Sequence, residues 1–295
     1  MVGRVGAVFL VLIAAVLWGT TGTAQTFAPV SAHPIAIGAI RLAIGGGLLL
    51  LVVVIQKKWN TTGLSKRLVL LSAISMAAFQ PFFFSSVKLT GIAVGTVLAI
   101  GSAPVFAGCI EWLIKKKAPS FNWWLATIIA IVGCTLLFSN REAVHTDSLG
   151  MLLAISAGFA FALYTISSKQ LLHANNPETV VAIVFTTSAV LLAPAVFFFE
   201  MSWVTEINGL TTVVYLGVFT TAIAYLCFSK GLEKVPASTA VTLSLAEPLT
   251  AAMLGTFIVR ESLSPLSWLG VFLIFLAIIV LSSPTRKIKE EAKAI

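Results

Sequence analysis

Residues 91–117 read GIAVGTVLAIGSAPVFAGCIEWLIKKK, an apolar stretch that ends in three consecutive lysines. A helix needs about 20 apolar residues to cross the roughly 30 Å hydrocarbon core of a bilayer, and residues 92–114 meet that length. The lysines then mark the point where the chain returns to water. The stretch therefore predicts a transmembrane helix with a basic end.

Composition places the whole chain in the same class. Hydrophobic residues make up 58% of the 295 residues and charged residues 10%, whereas soluble domains have about 25% charged residues. So few charges cannot cover a globule with polar surface. This excludes an ordinary soluble enzyme, a disordered protein and a nucleic-acid-binding domain, although the net charge is +8. We predict an all-α membrane protein with ten transmembrane helices, near residues 5–24, 34–55, 67–87, 92–114, 121–139, 148–169, 178–200, 209–230, 237–258 and 264–283.

Lysine and arginine residues are distributed unequally between the two sides of these spans. With the N-terminus inside, three lie in outer loops (Lys88, Arg141 and Arg260), Arg41 lies within a span, and the other fifteen lie at inner loops and ends. Positive charges accumulate on the cytoplasmic side of membrane proteins. The distribution therefore predicts a multi-pass protein of the inner (plasma) membrane with both termini cytoplasmic. The fifteen inner residues are Arg4, Lys57, Lys58, Lys66, Arg67, Lys115, Lys116, Lys117, Lys169, Lys230, Lys234, Arg286, Lys287, Lys289 and Lys293.

The opening stretch recurs 144 residues later, where residues 235–261 read VPASTAVTLSLAEPLTAAMLGTFIVRE. At this offset Pro104 aligns with Pro248, and Trp124 aligns with Trp268. Apolar matches are common by chance in such a composition, so the proline and tryptophan matches carry more weight. The offset needs no gap from the first predicted span to the tenth. The chain is therefore predicted to contain an internal repeat.

The repeat divides the chain into two five-helix domains, residues 1–144 and 145–288, followed by a basic cytoplasmic tail at 289–295. Because each half has an odd number of helices, the second half must enter the membrane upside down. The sequence thus predicts two inverted five-helix repeats. The repeat also predicts that the first apolar run is kept as a helix and is not cleaved as a signal peptide.

Short motifs occur in both halves of the chain. They are Leu17-Trp18-Gly19, Pro104-Val105-Phe106, Trp123-Trp124, Glu247-Pro248-Leu249, Gly255, Arg260-Glu261-Ser262-Leu263 and Ser267-Trp268-Leu269-Gly270. These motifs resemble those of the drug/metabolite transporter (DMT) superfamily with two tandem EamA-type domains, and the resemblance extends over nearly the whole chain. Lys115 to Lys117 depart from the acidic end that this family often has after the fourth span. Within the superfamily the chain resembles the aromatic amino acid exporters.

The resemblance implies export of small zwitterionic metabolites, above all aromatic or other apolar amino acids, by alternating access. A multidrug exporter, or an exporter of other cationic or nucleoside-type metabolites, is the alternative within the superfamily. A channel is disfavoured because the chain has no filter motif. Scattered cysteines and histidines and the lack of catalytic motifs predict no enzyme, no metal and no cofactor. The predicted partners are a small-molecule substrate, the bilayer and, as a coupling ion, protons, with no nucleic acid; the protein is expected to be a monomer or a weak homodimer.

Glu247 is the first candidate site residue because it lies ten residues into its span, about 15 Å deep at 1.5 Å per residue. Polar groups in the bilayer core usually face a cavity or a partner. Pro248 is expected to leave the carbonyl of Ser244 without its helical donor. A carboxylate beside that carbonyl suits an ammonium group or a proton. A Glu247 that only packs two helices is the equally weighted alternative.

The third span carries an aromatic and amide candidate group in its middle. Phe79 and Phe83 are four residues apart and share a helix face, which offers a stacking wall. Gln80 can hydrogen-bond a carboxylate or an amine. Pro81, like Pro104 and Pro248, is predicted to kink its helix near the central site. Lipid-facing or core packing is the alternative for these aromatics, and simple packing for the prolines.

Four more residues are predicted to line the substrate pathway: Trp18 and Thr20 in the first span, Tyr164, which is the repeat copy of Thr20, and Tyr225. Interfacial anchoring is the usual alternative for tryptophan and tyrosine, and it fits both tyrosines poorly because they lie well inside their spans. Arg41 lies seven residues into its span; it either binds a substrate carboxylate or has a structural role, and the structural role is favoured. Glu111 and Lys88 lie near span ends and are expected to be solvated.

Overall fold

The computed structural model describes residues 3–59, 61–138, 147–257 and 263–282. Arg141, Arg260 and the basic tail, which entered the charge count, lie outside the described residues. Over the described ranges the chain forms ten apolar helices and no strand. Nine of these ten helices are long enough to cross a membrane. The helices are α1 (Arg4–Gln25), α2 (Pro34–Ile55), α3 (Lys66–Gly91), α4 (Val94–Lys115), α5 (Phe121–Leu137, 17 residues), α6 (Ser148–Leu172), α7 (Pro177–Val196), α8 (Ile207–Leu232), α9 (Ala237–Phe257) and α10 (Pro265–Ser282), with a 3₁₀ turn at Ser202–Thr205.

Side-chain caps fix several helix starts at the expected breaks. Asp147 accepts a hydrogen bond from Gly150 N at 2.7 Å at the start of α6, and Ser120 accepts one from Trp123 N at 3.3 Å at the start of α5. His33 caps α2 through Nδ1, which accepts from Ile35 N. Such caps satisfy backbone donors that a helix leaves free in its first turn. They fix the residue at which each of these helices begins.

The turn between α3 and α4 depends on glycine. Gly91 has φ 82° and ψ 162°, a conformation that side-chain-bearing residues rarely adopt. A Cβ on Gly95 would lie 3.0 Å from Val87 Cα, so the two helices approach closely just beyond the turn. Close backbone approach therefore depends on glycine at Gly95. It does not depend on glycine at Gly101, where the atom nearest to an added Cβ is 3.8 Å away.

The helix pairs that pack together are related by exchange of the two halves. Helix α1 packs on α8 and α9, and α6 packs in the same way on α3 and α4. Likewise α2 packs on α8 while α7 packs on α3. The pairs α2–α7, α4–α9 and α5–α10 each join two helices at equivalent positions of the two halves. This pattern is what two copies of one five-helix unit produce when they pack around a two-fold axis.

Two helices of the second half are irregular near their middle. Within α8, residues Leu216–Ile223 form a π-helical stretch. Within α9 the helix ends at Leu243 and restarts at Ala246, just before Pro248. The backbone stays helical through Pro81 and Pro104, so bending at those prolines stays a prediction. The break in α9 has no counterpart in α4, although the two helices are repeat copies.

Candidate functional site

A cavity of about 1190 Å³ lies between the two halves of the bundle. Its floor carries Arg41 and Glu247, and its mouth opens beside Thr26, Lys88 and Leu149, all three exposed. The mouth therefore lies at the end of the bundle where α1 and α3 end and where α6 begins. We call this end the mouth side. The opposite end, where α1 begins and where Lys115, Lys169 and Lys230 lie, is called the basic side.

Most of the predicted site residues line this cavity, and the remaining ones lie behind its walls or elsewhere in the bundle. Gln80 is fully buried behind Arg41, and Tyr164 is buried behind Tyr225. Thr20 faces a separate crevice of about 340 Å³, where its Oγ1 accepts a hydrogen bond from Tyr215 Oη at 2.9 Å. Pro81 and Pro104 are not among the cavity-lining residues. The predicted residues that line the cavity are Trp18, Arg41, Phe79, Phe83, Tyr225, Ser244, Glu247 and Pro248.

Glu247 lies in the first turn of the second segment of the broken helix α9. A carboxylate in the first turn of a helix is stabilised by the positive end of the helix dipole. The carbonyl of Ser244 was expected to lack a hydrogen-bond donor. It has one, because it accepts a hydrogen bond from Glu247 N at 2.9 Å. Within the described part of the chain, no hydrogen bond or ion pair engages the Glu247 carboxylate. The group is thus open to a ligand in the cavity.

Arg41 supplies the opposite charge on the same floor. Its side chain is 8% exposed, and its Nη2 donates to Gln80 Oε1 at 3.0 Å. Arg41 and Glu247 interact electrostatically, and neither forms an ion pair with another described residue. Tyr225 lies within the field of both charges. The floor therefore presents one cationic and one anionic group, both available to a ligand.

Aromatic rings form the wall above this floor. Trp18 packs on Tyr225 with ring centroids 4.7 Å apart, and Phe79 stacks on Phe83 at 5.6 Å with an interplanar angle of 10°. Phe161 joins the two groups, lying 5.9 Å from Trp18 and 5.9 Å from Phe79. Rings at these separations attract one another and present flat apolar surface to a ligand. The wall suits an aromatic or branched apolar side chain.

Phe161 is the wall residue that the sequence analysis missed. Its repeat copy is Leu17, so the repeat gives no aromatic match. A different signal was present, because Phe161 precedes Tyr164 by three residues and such pairs share a helix face. The two rings are neighbours, with centroids 6.2 Å apart. Spacing to a predicted site residue would have found it.

The basic side of the bundle is closed by polar contacts between helices. Glu111 of α4 accepts hydrogen bonds from Ser238 N at 2.9 Å and Ser238 Oγ at 2.6 Å, at the start of α9, and it pairs with Lys115. Glu111 was expected to be solvated; that expectation is wrong, because the residue is 9% exposed and fully bonded. Lys88, at the mouth, is exposed as expected.

Two lysines extend this closure. Lys169 Nζ, near the end of α6, donates to Leu232 O and Val235 O, both at 2.6 Å. Lys230 Nζ of α8 lies 2.8 Å from Glu178 Oε1 of α7. We refer to the Glu111, Lys169 and Lys230 contacts together as the basic-side closure. Both lysine contacts join helices of the second half to one another, whereas the Glu111 contact with Ser238 crosses between the two halves.

A bundle of apolar helices around a charged cavity, open at one end and closed at the other, defines a membrane transporter. The chain belongs to the EamA-like transporter family, whose family model matches residues 5–139 and again residues 148–283. The resemblance to the DMT superfamily with two EamA-type segments is therefore confirmed. Across residues 3–59, 61–138, 147–257 and 263–282, no group of His, Cys, Asp or Glu side chains is placed to hold a metal ion.

Relatives extend over nearly the full chain. It is 50% identical over 289 residues to the uncharacterized transporter YwfM of Bacillus subtilis, covering 98% of this chain and 97% of that one. It is 25% identical over 269 residues to the threonine/homoserine exporter RhtA of Escherichia coli K12, covering 90% and 86%. A solved crystal structure shares the fold, with a TM-score of 0.83 at 19% identity, over 94% of this chain and 96% of the other.

Proposed function

We propose that the protein exports small zwitterionic metabolites, most of all amino acids with aromatic or other apolar side chains, across the inner membrane. The observation that carries the proposal is the cavity floor, where the unpaired Glu247 and Arg41 lie beneath an aromatic wall. An α-amino acid has an ammonium for Glu247, a carboxylate for Arg41 and a side chain for the wall. A floor with both charges matches the zero net charge of such a ligand.

The proposed mechanism is alternating access by two inverted repeats. The exchange symmetry of the helix pairs supports two related halves, and the odd number of helices in each half supports opposite insertion. On this basis residues 1–144 and 145–288 are the two repeat domains. The cavity lies where they meet, so rocking one half against the other would close the mouth and open the basic side.

The charge distribution supports a cytoplasmic basic side with both termini inside. In that orientation the structure corresponds to an outward-open state, in which the basic-side closure separates the cavity from the cytosol. Glu247 is also the candidate for proton coupling, since it is the one carboxylate among the lining residues described here. Facilitated diffusion without protons is the alternative. The monomeric or weakly dimeric state also stays a prediction.

The relatives support an amino acid as substrate. RhtA, which aligns over most of its length, is named a threonine/homoserine exporter. The aromatic wall of Trp18, Phe79, Phe83 and Phe161 favours larger apolar side chains in this chain. We therefore place phenylalanine above threonine as the preferred substrate.

Flux in proteoliposomes tests the proposal. Purified protein is reconstituted, and counterflow of labelled L-phenylalanine and L-threonine is compared with that of empty vesicles. We expect saturable phenylalanine flux that Glu247→Gln lowers at least about tenfold, because a charge-assisted hydrogen bond is lost. Glu200→Gln removes the same charge from an exposed residue and serves as the matched control. Absence of flux for every amino acid would contradict the proposal, and flux without saturation would indicate a channel.

Glu247 among aromatic rings also favours a second candidate function, export of bulky organic cations. The buried Arg41 on the same floor opposes it, because like charges repel. Tetraphenylphosphonium flux separates the two functions. A multidrug exporter would move this cation, lose that flux in Glu247→Gln and leave zwitterions unaffected; an amino acid exporter would show the phenylalanine flux described above.

A further inference from the structure

Three buried nitrogen donors in or beside the cavity lining have no hydrogen-bond partner among the described residues: Arg41 Nε, Gln80 Nε2 and Trp18 Nε1. The three side chains are 8%, 0% and 6% exposed. A buried donor left unpaired destabilises a fold, so such groups in a native protein call for an explanation. Two of them, on Arg41 and Trp18, belong to residues that line the cavity.

Gln80 holds the Arg41 guanidinium in place. A guanidinium only donates hydrogen bonds, so Gln80 must turn its Oε1 toward Arg41 Nη2, where the distance is 3.0 Å. Gly38, one turn before Arg41 on α2, makes room for this amide, because a Cβ there would lie 3.0 Å from Gln80 Oε1. The amide orients the arginine without neutralising it. Arg41 therefore keeps its charge and a free donor beside the cavity.

Charge balance points to the ligand. Buried arginines are normally paired with a carboxylate, and over the described residues Arg41 has none within ion-pair distance. One positive charge with neutral donors around it matches a singly charged group better than a phosphate with nearly two charges. A carboxylate offers two acceptor oxygens in the plane that a guanidinium fork recognises.

We propose that Arg41 and Trp18 form a carboxylate-binding subsite of the cavity, with Gln80 as the residue that positions Arg41. The subsite rests on the proposed function and deepens it, since it names the acid group that a substrate must carry. It also reverses the sequence-based preference for a structural Arg41. A substrate without a carboxylate lacks the acceptor that these donors need.

Ligand-induced thermal stabilisation of the purified protein tests the subsite without requiring transport. The probes share one ring: L-phenylalanine, 3-phenylpropanoate, which lacks the ammonium, and L-phenylalaninamide, which lacks the carboxylate. We expect wild-type protein to bind phenylalanine at least about tenfold more tightly than the amide. Arg41→Gln should remove that discrimination, and Arg41→Lys should restore only part of it, because an ammonium lacks the fork.

Two further variants separate positioning from folding. Gln80→Glu keeps the side-chain size and the acceptor, but it gives Arg41 an internal carboxylate, so it should weaken binding of both acids and spare the amide. Lys117→Gln removes one positive charge from an exposed residue on the basic side, outside the cavity, and should leave the acid-to-amide ratio unchanged.

The possible outcomes distinguish the subsite from the function. Amino acid flux with an acid-to-amide ratio that Arg41→Gln leaves unchanged would overturn the subsite and keep the proposed function. Binding of 3-phenylpropanoate that depends on Arg41, without amino acid flux, would support the subsite and contradict the function. If wild-type protein binds neither carboxylate probe, the subsite is wrong.

Discussion

The two ends of the cavity differ in how their helices are joined. On the basic side, Glu111 bonds across the two halves to Ser238, and Lys169 and Lys230 bond between helices of the second half. On the mouth side, the repeat-equivalent positions, 144 residues away, carry uncharged residues: Gly255 is the copy of Glu111, and Gln25 is the copy of Lys169. Both copies line the open cavity.

The difference shows that the two repeats share their helix arrangement but not the side-chain contacts that close one end of the cavity. Val94, the copy of Ser238, has no polar side chain to meet Gly255, so the mouth cannot be closed by the bonds that close the basic side. In the proposed cycle the empty protein should therefore favour the mouth-open state. A ligand that bridges Arg41 and Glu247 would supply attraction that the mouth side lacks.

The largest expected effect comes from breaking the Glu111 contacts. Glu111→Ala leaves Ser238 N without an acceptor, which should weaken the closed basic side by about 2–3 kcal/mol, roughly 30- to 150-fold in the equilibrium. The measurement is labelling of a cysteine at Ala251, which lines the cavity, by an impermeant maleimide applied from the basic side. Cys109, Cys134 and Cys227 are replaced first. Glu111→Gln, which keeps an acceptor, should have a smaller effect; equal labelling in wild type and Glu111→Ala would show that these bonds do not hold the closure.

Helix α1 gives a second test, because it is tightly packed at the cavity floor and free toward the mouth. A Cβ on Gly19 would lie 2.5 Å from Thr250 Cβ and 2.7 Å from Glu247 O, whereas one on Gly22 meets nothing within 4 Å. Gly19→Ala should destabilise the protein by about 1–3 kcal/mol through overpacking. Gly22→Ala is the matched control and should not lower the melting temperature, because its Cβ meets no neighbour and alanine favours a helix over glycine. Equal melting temperatures for the two variants would refute the close packing at the floor.

Lys169 and Lys230 test the contacts that join helices of the second half on the basic side. Lys169→Met loses two charge-assisted hydrogen bonds to carbonyls and should destabilise the protein by about 1–2 kcal/mol, measured as a lower melting temperature. Lys230→Met breaks a partly exposed ion pair, with the Lys230 side chain 40% exposed, and should destabilise the protein by less than about 1 kcal/mol in the same measurement. The reverse ranking would mean that burial does not decide the strength of these contacts.

The smallest expected effect is at the mouth, where His33 caps α2 and stacks on Phe199 at 4.0 Å. Partial burial, together with the charge of Lys88, lowers the pKa of His33 below its ordinary value. The neutral imidazole therefore stabilises the folded state above its ordinary pKa, and this contribution is lost as the pH falls through the lowered pKa. It should be less than about 1 kcal/mol, the strength of a weak cap. His33→Asn keeps a capping acceptor that does not titrate, so melting temperatures between pH 7 and 5 should fall more in wild type; parallel curves would contradict this.

The sequence predicted the fold well because each feature it used is local or periodic. Span length identified the helices, and proline and tryptophan matches identified the repeat. Depth along a helix placed Glu247 near the middle of its span, and Gln80 with its neighbouring phenylalanines near the middle of theirs. None of these properties depends on the rotation of a helix about its own axis, that is, on which of its faces points to the cavity.

Helix rotation explains most of what the sequence did not predict. Thr20 is two residues from Trp18, about 200° around the helix, and so faces another crevice. Apolar residues surround each span, so no amphipathic face shows which side points to the cavity. Glu111 could not be placed because its partner, Ser238, is 127 residues away and meets it only through packing of the two halves.

Accessibility of the cavity floor from each side of the membrane tests the central claim most directly. A single cysteine at Ala251, with the three native cysteines replaced, is labelled by impermeant maleimide in right-side-out and inside-out vesicles. The account predicts fast labelling from the outside, slow labelling from the cytosolic side, and protection from outside labelling by saturating L-phenylalanine. Faster labelling from the cytosolic side, or labelling that phenylalanine does not affect, would contradict it.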